Sequence, residues 1–480
     1  MKDKRAYKIF LTQKAFDIIP MIQDTAKDWD DLITSGLSKT ENSCVERILH
    51  KMSENACYLK VEVEKENKYN DYDLPHYKGE CPFIGRSKRM NLDKTFYHNL
   101  MKNLFADPYE VEFWDGEVVN YGGGESLFRI GFNEPIAKSE LISDPSLAFG
   151  EGYMFKKINI EGDIQKVIES LFNKQDSFLQ QKNTYGKLVK ILSNNIRKSK
   201  ENIQYHYDIG NDFYRLWLDE TMTYSCAYFK SPEDSLTQAQ NNKVDYILRK
   251  LDLQPGQTLL DIGCGWGELI LTAAKTYQVK ALGITLSSEQ YSRVLERIQN
   301  EELQELVEVQ LSDYRELKAR TFDRVVSVGM IEHVGKEHLE EYFSTVKSLL
   351  NEGGASLLHC ITGYEEGGTN SWINKYIFPG GYIPVVQELV KLISANSFYL
   401  VDLESLREHY TITLEHWAQN FEKALPLIQK MKDETFIRMW RLYLNSCAAS
   451  FHCGNLDLHH FLFTKGVNNT RPMTRDHLYS

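Results

Sequence analysis

The C-terminal part of the chain, residues 201–480, alternates short apolar runs with amphipathic segments. The apolar runs have the length of buried strands and lie at residues 258–262, 279–284, 306–311, 322–328 and 355–361. Strands that alternate with helices usually form a mostly parallel sheet, and helices cover both of its faces. The pattern therefore predicts an α/β domain in which ligands bind at the carboxyl ends of the strands.

Residues 90–180 follow a different pattern, in which polar and apolar positions alternate along short segments. The segment VEFWDGEVVNYGGG alternates on both sides of Asp115-Gly116, which is a signal for a two-residue turn. The segments FRIGFNEPI and MFKKINIEGDI also have strand patterns. We therefore predict a smaller domain with hairpin strands at 90–180 and, before it, an extension of unknown role at 1–89.

The length of 480 residues exceeds the size of a usual single core and favours two or three domains. A net charge of −11 argues against a nucleic-acid partner, which would need clustered lysine and arginine. Eight cysteines are scattered without a CxxC pair, so neither a disulfide framework nor a zinc site is expected. The N-terminus lacks a signal-peptide pattern and no apolar run reaches about 20 residues, which predicts a cytoplasmic protein.

A basic segment, KNTYGKLVKILSNNIRKSK, connects the two predicted domains. It has six basic residues and no acidic residue. One interpretation is a helix whose apolar face lies on an anionic membrane surface. The other is a linker that packs one face on a neighbouring domain and exposes the other to solvent. We assign residues 181–201 as a basic linker, and both interpretations stay open.

The segment LLDIGCGWGELI has the pattern of a buried strand, a glycine turn and a helix. Glycines at Gly263, Gly265 and Gly267 allow a tight turn and a close approach of a ligand to the backbone. The spacing is GxGxG, Asp261 precedes the turn, and the following strand does not end in an acid, which argues against a dinucleotide. The arrangement resembles the first motif of S-adenosylmethionine-dependent methyltransferases. The alternative is a glycine turn that serves only close packing.

Polar residues that suit a nucleoside follow the second and third predicted strands. Thr285, Ser287 and Gln290 follow the second strand and are candidates for binding ribose hydroxyls. Asp313 and Tyr314 follow the third strand, and they offer an acceptor for an exocyclic amine and a ring to stack on adenine. An aspartate in a loop is also typical of a turn or a helix cap.

Candidates for acid–base chemistry lie near the ends of the later strands. The segment SVGMIEHVG contains Glu332 and His333, and the segment LLHCITG contains His359. Glu332 has an alternative role as the cap of a helix predicted to begin near Lys336. Cys226 lies further upstream in YSCAYF, where an isolated cysteine is commonly a small buried apolar residue. None of these residues alone identifies a reaction.

Several strings together resemble cyclopropane-fatty-acid-phospholipid synthases and, in the catalytic half, mycolic acid cyclopropane synthases. They are HYDIGNDFYRLWLDETMTYSCAYF, LLDIGCGWG, GITLSSEQ, SVGMIEHVG, LLHCITG, SWINKYIFPGGYIP and YLNSCAASF. The resemblance runs from Met90 to the C-terminus. It implies a Rossmann-like class I methyltransferase domain over 202–480, with a seven-stranded, mostly parallel sheet covered by helices. It also implies a smaller α/β lipid-binding domain over 90–180.

The resemblance implies a reaction as well as a fold. A cis double bond of a phospholipid acyl chain takes the methyl group of S-adenosylmethionine, and bound bicarbonate removes a proton from the resulting carbocation as a cyclopropane ring closes. The positions that match the bicarbonate ligands of the family are Cys226, Glu332, His359, Ile361 through its backbone, and Tyr410. The positions assigned to the cofactor besides the loop residues above are Tyr224, Ser225, Asp261, Gly263 and Gly265.

Cys447 in YLNSCAASF matches a cysteine that has been treated as catalytic in this family. Methyl transfer to an alkene requires no covalent enzyme intermediate, so we predict a packing role for this thiol. A set of rings is expected to line an acyl tunnel or, as the alternative for each ring, to belong to the core. The set is Tyr224, Tyr228, Phe229, Trp372 and Tyr376.

The resemblance further implies unsaturated phospholipids as partners, a peripheral position on the inner face of the membrane, and a possible homodimer. Three alternatives remain open at the level of the sequence. The first is a lipid methyltransferase that leaves a methyl or methylene branch, and the second is an amine N-methyltransferase on the same fold. The third is a noncatalytic lipid-binding protein on a degenerate methyltransferase fold.

Overall fold

The computed structural model describes residues 92–174, 209–317, 320–365 and 369–479. The predicted extension at 1–89 and the predicted linker at 181–201 lie outside the described residues. The described residues belong to two compact units, of which the first ends at Asn103 and the second begins at Leu104. Helix α1, Leu92–Lys102, is the described element of the first unit. None of the described helices combines the length and apolarity that crossing a membrane requires.

The second unit begins with a small sheet. Its described strands are β1 Tyr109–Glu112, β2 Val118–Tyr121, β3 Phe128–Phe132 and β4 Ile158–Glu161. They pair in the order β2-β1-β3-β4, with β1 parallel to β3 and the other two pairs antiparallel. At the turn between β1 and β2 the N–H of Gly116 donates to the carbonyl of Phe113 at 2.8 Å, and its φ of +83° favours glycine. The predicted hairpin at Asp115-Gly116 is confirmed, but its turn is longer than the predicted two residues, because the N–H of Phe113 donates to the carbonyl of Glu117 and residues 114–116 form the turn.

Three helices accompany this small sheet in the sequence. They are α2 Lys138–Ser143, α3 Pro145–Met154 and α4 Ile164–Asn173. The carboxylate of Asp144 caps α3 by accepting the N–H of Leu147, and Pro145 occupies the first turn, where its missing N–H costs nothing. The carboxylate of Asp163 caps α4 in the same way. Local capping signals therefore explain where α3 and α4 begin.

A larger sheet follows in the chain. Its described strands are β5 Thr258–Ile262, β6 Lys280–Thr285, β7 Val307–Leu311, β8 Phe322–Val328, β9 Leu350–Gly363, β10 Phe398–Ser405 and β11 Leu456–Lys465. They pair in the order β10-β11-β9-β8-β5-β6-β7. The pairs β10-β11 and β11-β9 are antiparallel and the other four pairs are parallel, so β11 runs opposite to the other six of these strands. The predicted mostly parallel sheet is confirmed, and the carboxyl ends of β5 to β8 lie along one edge.

Helices cover both faces of the larger sheet. The described helices are α5 Asn211–Tyr214, α6 Leu236–Leu251, α7 Glu268–Tyr277, α8 Ser288–Asn300, α9 Leu339–Leu349, α10 Ser371–Tyr376, α11 Val386–Ala395, α12 Arg407–Lys423, α13 Leu425–Ile428, α14 Glu434–His452 and α15 Asp476–Tyr479. Buried side chains of α6, α7 and α8 form one apolar core with the sheet, and those of α9 and α11 form another. Burial of these apolar faces supplies the main favourable free energy of the fold.

The small sheet and its helices α2 to α4 are called the small domain below. A third apolar core joins this small domain to α10, α12 and α14. Trp217, Trp417 and Trp440 are fully buried in it, and Met154 of α3 packs against the same core. Helix α3 also approaches α10 closely, because a Cβ atom on Gly150 would lie 2.3 Å from the Trp372 ring. The small domain is thereby held against the helices that follow the larger sheet.

Candidate active site

A cavity of about 140 Å³ lies at the carboxyl ends of β5, β6, β7 and β8. Nine of the ten predicted cofactor residues line it, and these are Tyr224, Ser225, Asp261, Gly263, Gly265, Thr285, Gln290, Asp313 and Tyr314. The residues come from four separate stretches of sequence, and the parallel strands bring three of these stretches to one edge of the sheet. This is the position in which a ligand binds to such a sheet.

The glycine turn after β5 forms one wall of this cavity. Gly263 and Gly267 have φ values of +87° and +89°, and an added Cβ atom would lie 3.0 Å from the Met330 side chain or 2.9 Å from the Val294 side chain, respectively. Gly265 has a φ of +56°, and nothing lies within 4 Å of its Cβ position. Two of the glycines therefore serve close packing, and Gly265 leaves open space on the cavity side.

Alanine at Gly265 is expected to weaken binding of S-adenosylhomocysteine about tenfold or more, because its methyl group would occupy the open space beside the turn. The backbone strain of an alanine at positive φ costs about 1–2 kcal/mol. Isothermal titration calorimetry measures the affinity. Gly116→Ala is the matched control, since Gly116 also has a positive φ and an open Cβ position but lies in the hairpin turn. Unchanged affinity in Gly265→Ala would show that the ligand does not approach this residue.

Two buried ionisable side chains, Asp261 and Lys243, line the cavity. The carboxylate of Asp261 is almost completely buried, and its Oδ1 atom has no hydrogen-bond partner among the described residues. Burial raises the pKa of Asp261 to about 7, an effect that Lys243 opposes. The ammonium of Lys243 donates to Ser225 Oγ at 2.8 Å, and burial lowers the pKa of Lys243 to about 8. Asp261 therefore keeps an acceptor oxygen for a ligand.

Ser287, a predicted ribose ligand, has a local structural role in this protein. Ser287 is fully buried, it does not line the cavity, and its hydroxyl accepts the N–H of Gln290 as the cap of α8. The Thr285 hydroxyl donates to Oε1 of Gln290 at 2.7 Å, and both side chains remain at the cavity. The cap fixes the start of α8 and thereby positions Gln290.

Asp313 lines the cavity but also has the local role that a loop aspartate commonly has. Its carboxylate caps the short 3₁₀ turn Tyr314–Glu316, and Arg315 donates two side-chain hydrogen bonds to it, both at 2.8 Å. This ion pair restricts Asp313 as an acceptor for an exocyclic amine. The Tyr314 ring packs edge-to-face on Tyr342 with ring centroids 5.5 Å apart. Asp313 and Tyr314 therefore both line the cavity, at the carboxyl end of β7.

A second cavity of about 1050 Å³ adjoins the first. Tyr224, Ser225, Gly329 and His333 line both cavities. The small domain contributes apolar wall residues from β3, β4, α3 and α4, and α14 contributes the opposite wall. Five of the predicted catalytic residues line this cavity, and these are Glu332, His359, Ile361, Tyr410 and Cys447.

Glu332 lies in the loop after β8 and points toward Ile361 of β9. Its Oε1 atom accepts the N–H of Ile361 at 2.7 Å, and its Oε2 atom has no hydrogen-bond partner in the described part of the chain. Burial raises the pKa of Glu332 to about 7. Glu332 does not cap a helix, because the residue before the 3₁₀ turn Lys336–His338 is Gly335. The carboxyl group is therefore free to exchange protons with a ligand at neutral pH.

The raised pKa of Glu332 predicts a pH-dependent effect of Glu332→Gln on stability. The folded state holds this proton to about pH 7, and the unfolded state releases it near pH 4.5. This carboxyl group therefore costs stability progressively as the pH rises from about 4.5 to about 7. The unfolding free energy of the variant minus that of wild type should therefore increase by on the order of 2 kcal/mol from pH 5 to pH 8. Urea denaturation at both pH values checks this, and an equal difference at both would contradict it.

His359 lies inside β9 rather than after it. The predicted strand at 355–361 is the middle of β9, which extends to Gly363 because β11 pairs along its whole second half. The His359 ring is 1% exposed, and its Nδ1 atom lies 2.7 Å from Nε2 of His460 on β11. Its Nε2 atom has no hydrogen-bond partner among the residues described. Burial lowers the pKa of His359 well below its ordinary value, so the ring is neutral.

The remaining predicted catalytic side chains differ in position. Cys226 is fully buried, its thiol donates to the carbonyl of Ala227, and it does not line the larger cavity. Tyr410 lines the cavity and packs against Phe451 with ring centroids 4.5 Å apart. Cys447 also lines the cavity, and burial raises its pKa to about 12. A thiol with that pKa is a poor nucleophile at neutral pH.

The predicted aromatic lining is correct for two rings. Tyr224 and Trp372 line the larger cavity. The other three belong to the core or its surface, where Tyr228 stacks on Tyr246, Phe229 stacks on His416 and the Tyr376 hydroxyl donates to Glu151. His460 and Lys243 were not predicted from the sequence. The strand pattern of DLHHFLF is the one signal that could have indicated a buried His460, whereas a lysine on an amphipathic helix gives no signal of a site.

Comparison with known proteins identifies the family. The sequence model described as "Mycolic acid cyclopropane synthetase" matches residues 194–461, more than half of the chain. A second model, for a domain of unknown function, matches residues 96–183. The chain is 38% identical over 389 residues to a "Probable fatty acid methyltransferase" of Pseudomonas putida, which covers 78% of this chain and 96% of the relative. It is 41% identical over 265 residues to the cyclopropane-fatty-acyl-phospholipid synthase of Escherichia coli K12. This match covers 55% of this chain and 68% of the relative.

Solved structures agree with this result. The cyclopropane synthase MmaA2 from Mycobacterium tuberculosis has a TM-score of 0.54 at 34% identity, covering 55% of this chain and 98% of that one. The mycolic acid cyclopropane synthase CmaA1, solved with SAH and CTAB, has a TM-score of 0.54 at 35% identity, covering 57% and 100%. The open space at Gly265 and the unpartnered oxygen of Asp261 fit a nucleoside cofactor. The chain belongs to the mycolic acid cyclopropane synthetase family and is an S-adenosylmethionine-dependent methyltransferase with a class I methyltransferase fold.

Proposed function

We propose that this methyltransferase forms cyclopropane rings at cis double bonds of phospholipid acyl chains. The observation that carries the proposal is a pair of buried atoms, Oε2 of Glu332 and Nε2 of His359. Both line the large cavity and have no partner among the described residues. Buried polar atoms in native proteins are normally hydrogen-bonded, so two unpartnered atoms on residues that line one cavity indicate a polar ligand there. S-adenosylmethionine supplies an electrophilic methyl group when it is bound.

The cavity walls favour an acyl chain as the substrate. Its volume of about 1050 Å³ is several times that of the adjoining cofactor cavity, and its walls are mainly apolar. Neither lysine nor arginine is among the described residues that line it. Tyr224 and Ser225 lie at the boundary between the two cavities, so a double bond that reaches this boundary lies beside the cofactor cavity.

The base site fits bicarbonate through a reduced set of the predicted ligands. Glu332, His359 and Tyr410 offer side-chain polar atoms to the cavity. Burial raises the pKa of Glu332 to about 7, so its carboxyl group can keep a proton and donate it to an anion. The Ile361 N–H donates to Glu332 and is shared if it also binds an ion. Bound bicarbonate would supply a basic oxygen beside Glu332, His359 and Tyr410.

The proposal includes the location and assembly of the protein. A phospholipid substrate requires contact with the membrane surface, and we place the protein in the cytoplasm on the inner face of the membrane. The exposed Phe155 precedes Lys156 and Lys157 after α3, which combines an apolar and a basic contact in one loop. A homodimer is also proposed, and its support is the family resemblance. Flotation with vesicles and sedimentation equilibrium test the two statements separately.

The substrate proposal is tested with two kinds of vesicle. Purified protein and S-adenosylmethionine are incubated with vesicles of monounsaturated phosphatidylethanolamine or of its saturated counterpart, and S-adenosylhomocysteine is quantified. We expect release only with the unsaturated vesicles, because the π bond supplies the electrons for methyl transfer. Equal release with both would indicate headgroup N-methylation. Cofactor binding without release would indicate a different substrate.

A further inference from the structure

Three polar residues form a row across neighbouring strands on one face of the larger sheet. His359 of β9 lies directly opposite His460 of β11, and His460 lies directly opposite Glu404 of β10. Residues opposite each other in adjacent strands point to the same face. The row therefore begins at the large cavity, which His359 lines, and ends at the edge strand of the sheet.

The first two members of the row form a histidine pair. Nδ1 of His359 lies 2.7 Å from Nε2 of His460, so one of these atoms donates and the other accepts. Each ring keeps one further nitrogen, Nε2 of His359 and Nδ1 of His460, and neither has a partner among the described residues. The pair thus has one open nitrogen on the cavity side and one on the outer side.

Both rings are neutral. His359 and His460 are 1% and 0% exposed, and burial lowers both pKa values well below the ordinary value. Nearby cations add to this effect. The charged and titratable groups that face His460 are Lys243, Tyr246 and Lys250 of α6, His359 of β9, Glu404 of β10 and His409 of α12.

The outer end of the row reaches solvent. The side chain of Glu404 is 27% exposed and forms an ion pair with the fully buried Lys250. The hydroxyl of Tyr246 donates to both carboxylate oxygens of Glu404, at 2.9 and 3.0 Å, and the Tyr246 ring lies 6.1 Å from the His460 ring. Tyr246 and Lys250 therefore hold the carboxylate of Glu404 in place on the strand next to His460.

We propose that His460 is a positioning and proton-relay residue that carries the proton of ring closure from His359 toward Glu404. The inference rests on the proposed function. Ring closure breaks one C–H bond of the transferred methyl group, the electron pair of that bond forms the new C–C bond, and one proton leaves. This proton passes from the base site, where bicarbonate would take it up, to Nε2 of His359, while the Nδ1 proton of His359 moves to Nε2 of His460. The Nδ1 proton of His460 then leaves toward Glu404.

The relay removes a proton from an apolar cavity while the acyl chain fills it. Each transfer breaks the bond to hydrogen at the donor atom as a new one forms at the acceptor, and both rings are neutral again once the last proton has left His460 for Glu404. Proton exchange at the two open nitrogens, once the product has left, restores the starting tautomers. A simpler role for His460 is to hold the His359 ring in place by one hydrogen bond. The two roles differ in whether the residue must be able to pass a proton on.

His460→Gln separates these roles, because an amide can accept a hydrogen bond from His359 but cannot relay its proton. We expect kcat to fall about tenfold or more, in the range of lost acid–base assistance. KM for vesicle lipid and affinity for S-adenosylhomocysteine should stay within about twofold, and the solvent deuterium isotope effect on kcat should increase. His459→Gln is the matched control, since His459 is adjacent on β11 and bonds instead to Thr362.

A second measurement uses the protein without substrate. Nitrogen-15 resonances of labelled histidines report the tautomer of each ring, and His359→Gln and His460→Gln assign the two sets of signals. We expect both rings to be neutral at pH 7, with removal of His460 changing the tautomer populations of His359. Wild-type kcat and isotope effect in a folded His460→Gln variant, or tautomers of His359 that do not respond, would overturn the relay. A wild-type protein that makes no ring would instead overturn the proposed function.

Discussion

Glutamine in place of Glu332 is expected to lower the rate of ring formation by about two to four orders of magnitude. The variant keeps the Oε1 acceptor for the Ile361 N–H but loses the ionisable oxygen that faces the cavity. Binding of S-adenosylhomocysteine should stay within about twofold, because Glu332 does not line the cofactor cavity. Single-turnover formation of modified lipid and calorimetric titration measure the two quantities.

Glu337→Gln is the matched control for this prediction. Glu337 lies five positions further along the same loop region, in the 3₁₀ turn, and is exposed to solvent. Its replacement should leave the rate unchanged within about twofold. Ring formation at the wild-type rate in Glu332→Gln would show that the base site lies elsewhere.

Alanine in place of Arg438 is expected to destabilise the second compact unit by about 3–5 kcal/mol. The guanidinium of Arg438 on α14 donates to the carbonyls of Tyr153 and Ile158 in the small domain, at 2.5 and 2.7 Å, and lies 4.0 Å from the Tyr153 ring. Truncation leaves two acceptors unpaired at a buried contact. Tyr153 and Ile158 line the large cavity, so activity should fall together with stability.

Arg441→Ala is the matched control on the same helix. Arg441 pairs with Glu422 near the surface, and such a pair contributes up to about 1 kcal/mol. Urea denaturation gives the two unfolding free energies, and limited proteolysis reports opening of the small domain. Equal destabilisation by the two replacements would contradict a specific role of Arg438 in holding the cavity wall.

Much of the architecture follows from short-range patterns in the sequence. The strands β5 to β8 begin and end within one residue of the predicted positions, because each is a buried apolar run bounded by polar residues. The predicted end of β9 at residue 361 was wrong, because the strand extends to Gly363 through pairing with β11, whose sequence lies about 100 residues further on. Long-range pairing leaves no local signal at His359, and the prediction placed this residue at the strand end.

In the candidate site, too, local sequence patterns predict some residues, whereas others depend on long-range packing. Residues that follow directly from a strand end, such as Gly265 and Asp313, lie where the topology requires. The hydroxyl of Ser287 caps α8, which is the common role of a serine before a helix. His460 was not predicted because its partner His359 is on another strand, and the direction of the Cys226 side chain depends on tertiary packing.

The most direct test of ring formation uses S-adenosylmethionine with a fully deuterated methyl group and vesicles of monounsaturated phospholipid, followed by mass spectrometry of the acyl chains. Ring closure removes one deuteron from the transferred methyl group, so two of its three deuterium atoms stay in the product. We predict that each modified acyl chain gains the mass of one carbon and two deuterium atoms, and that the product resists hydrogenation. A product that keeps all three deuterium atoms would be a methyl branch or a methylated amine and would contradict cyclopropane formation.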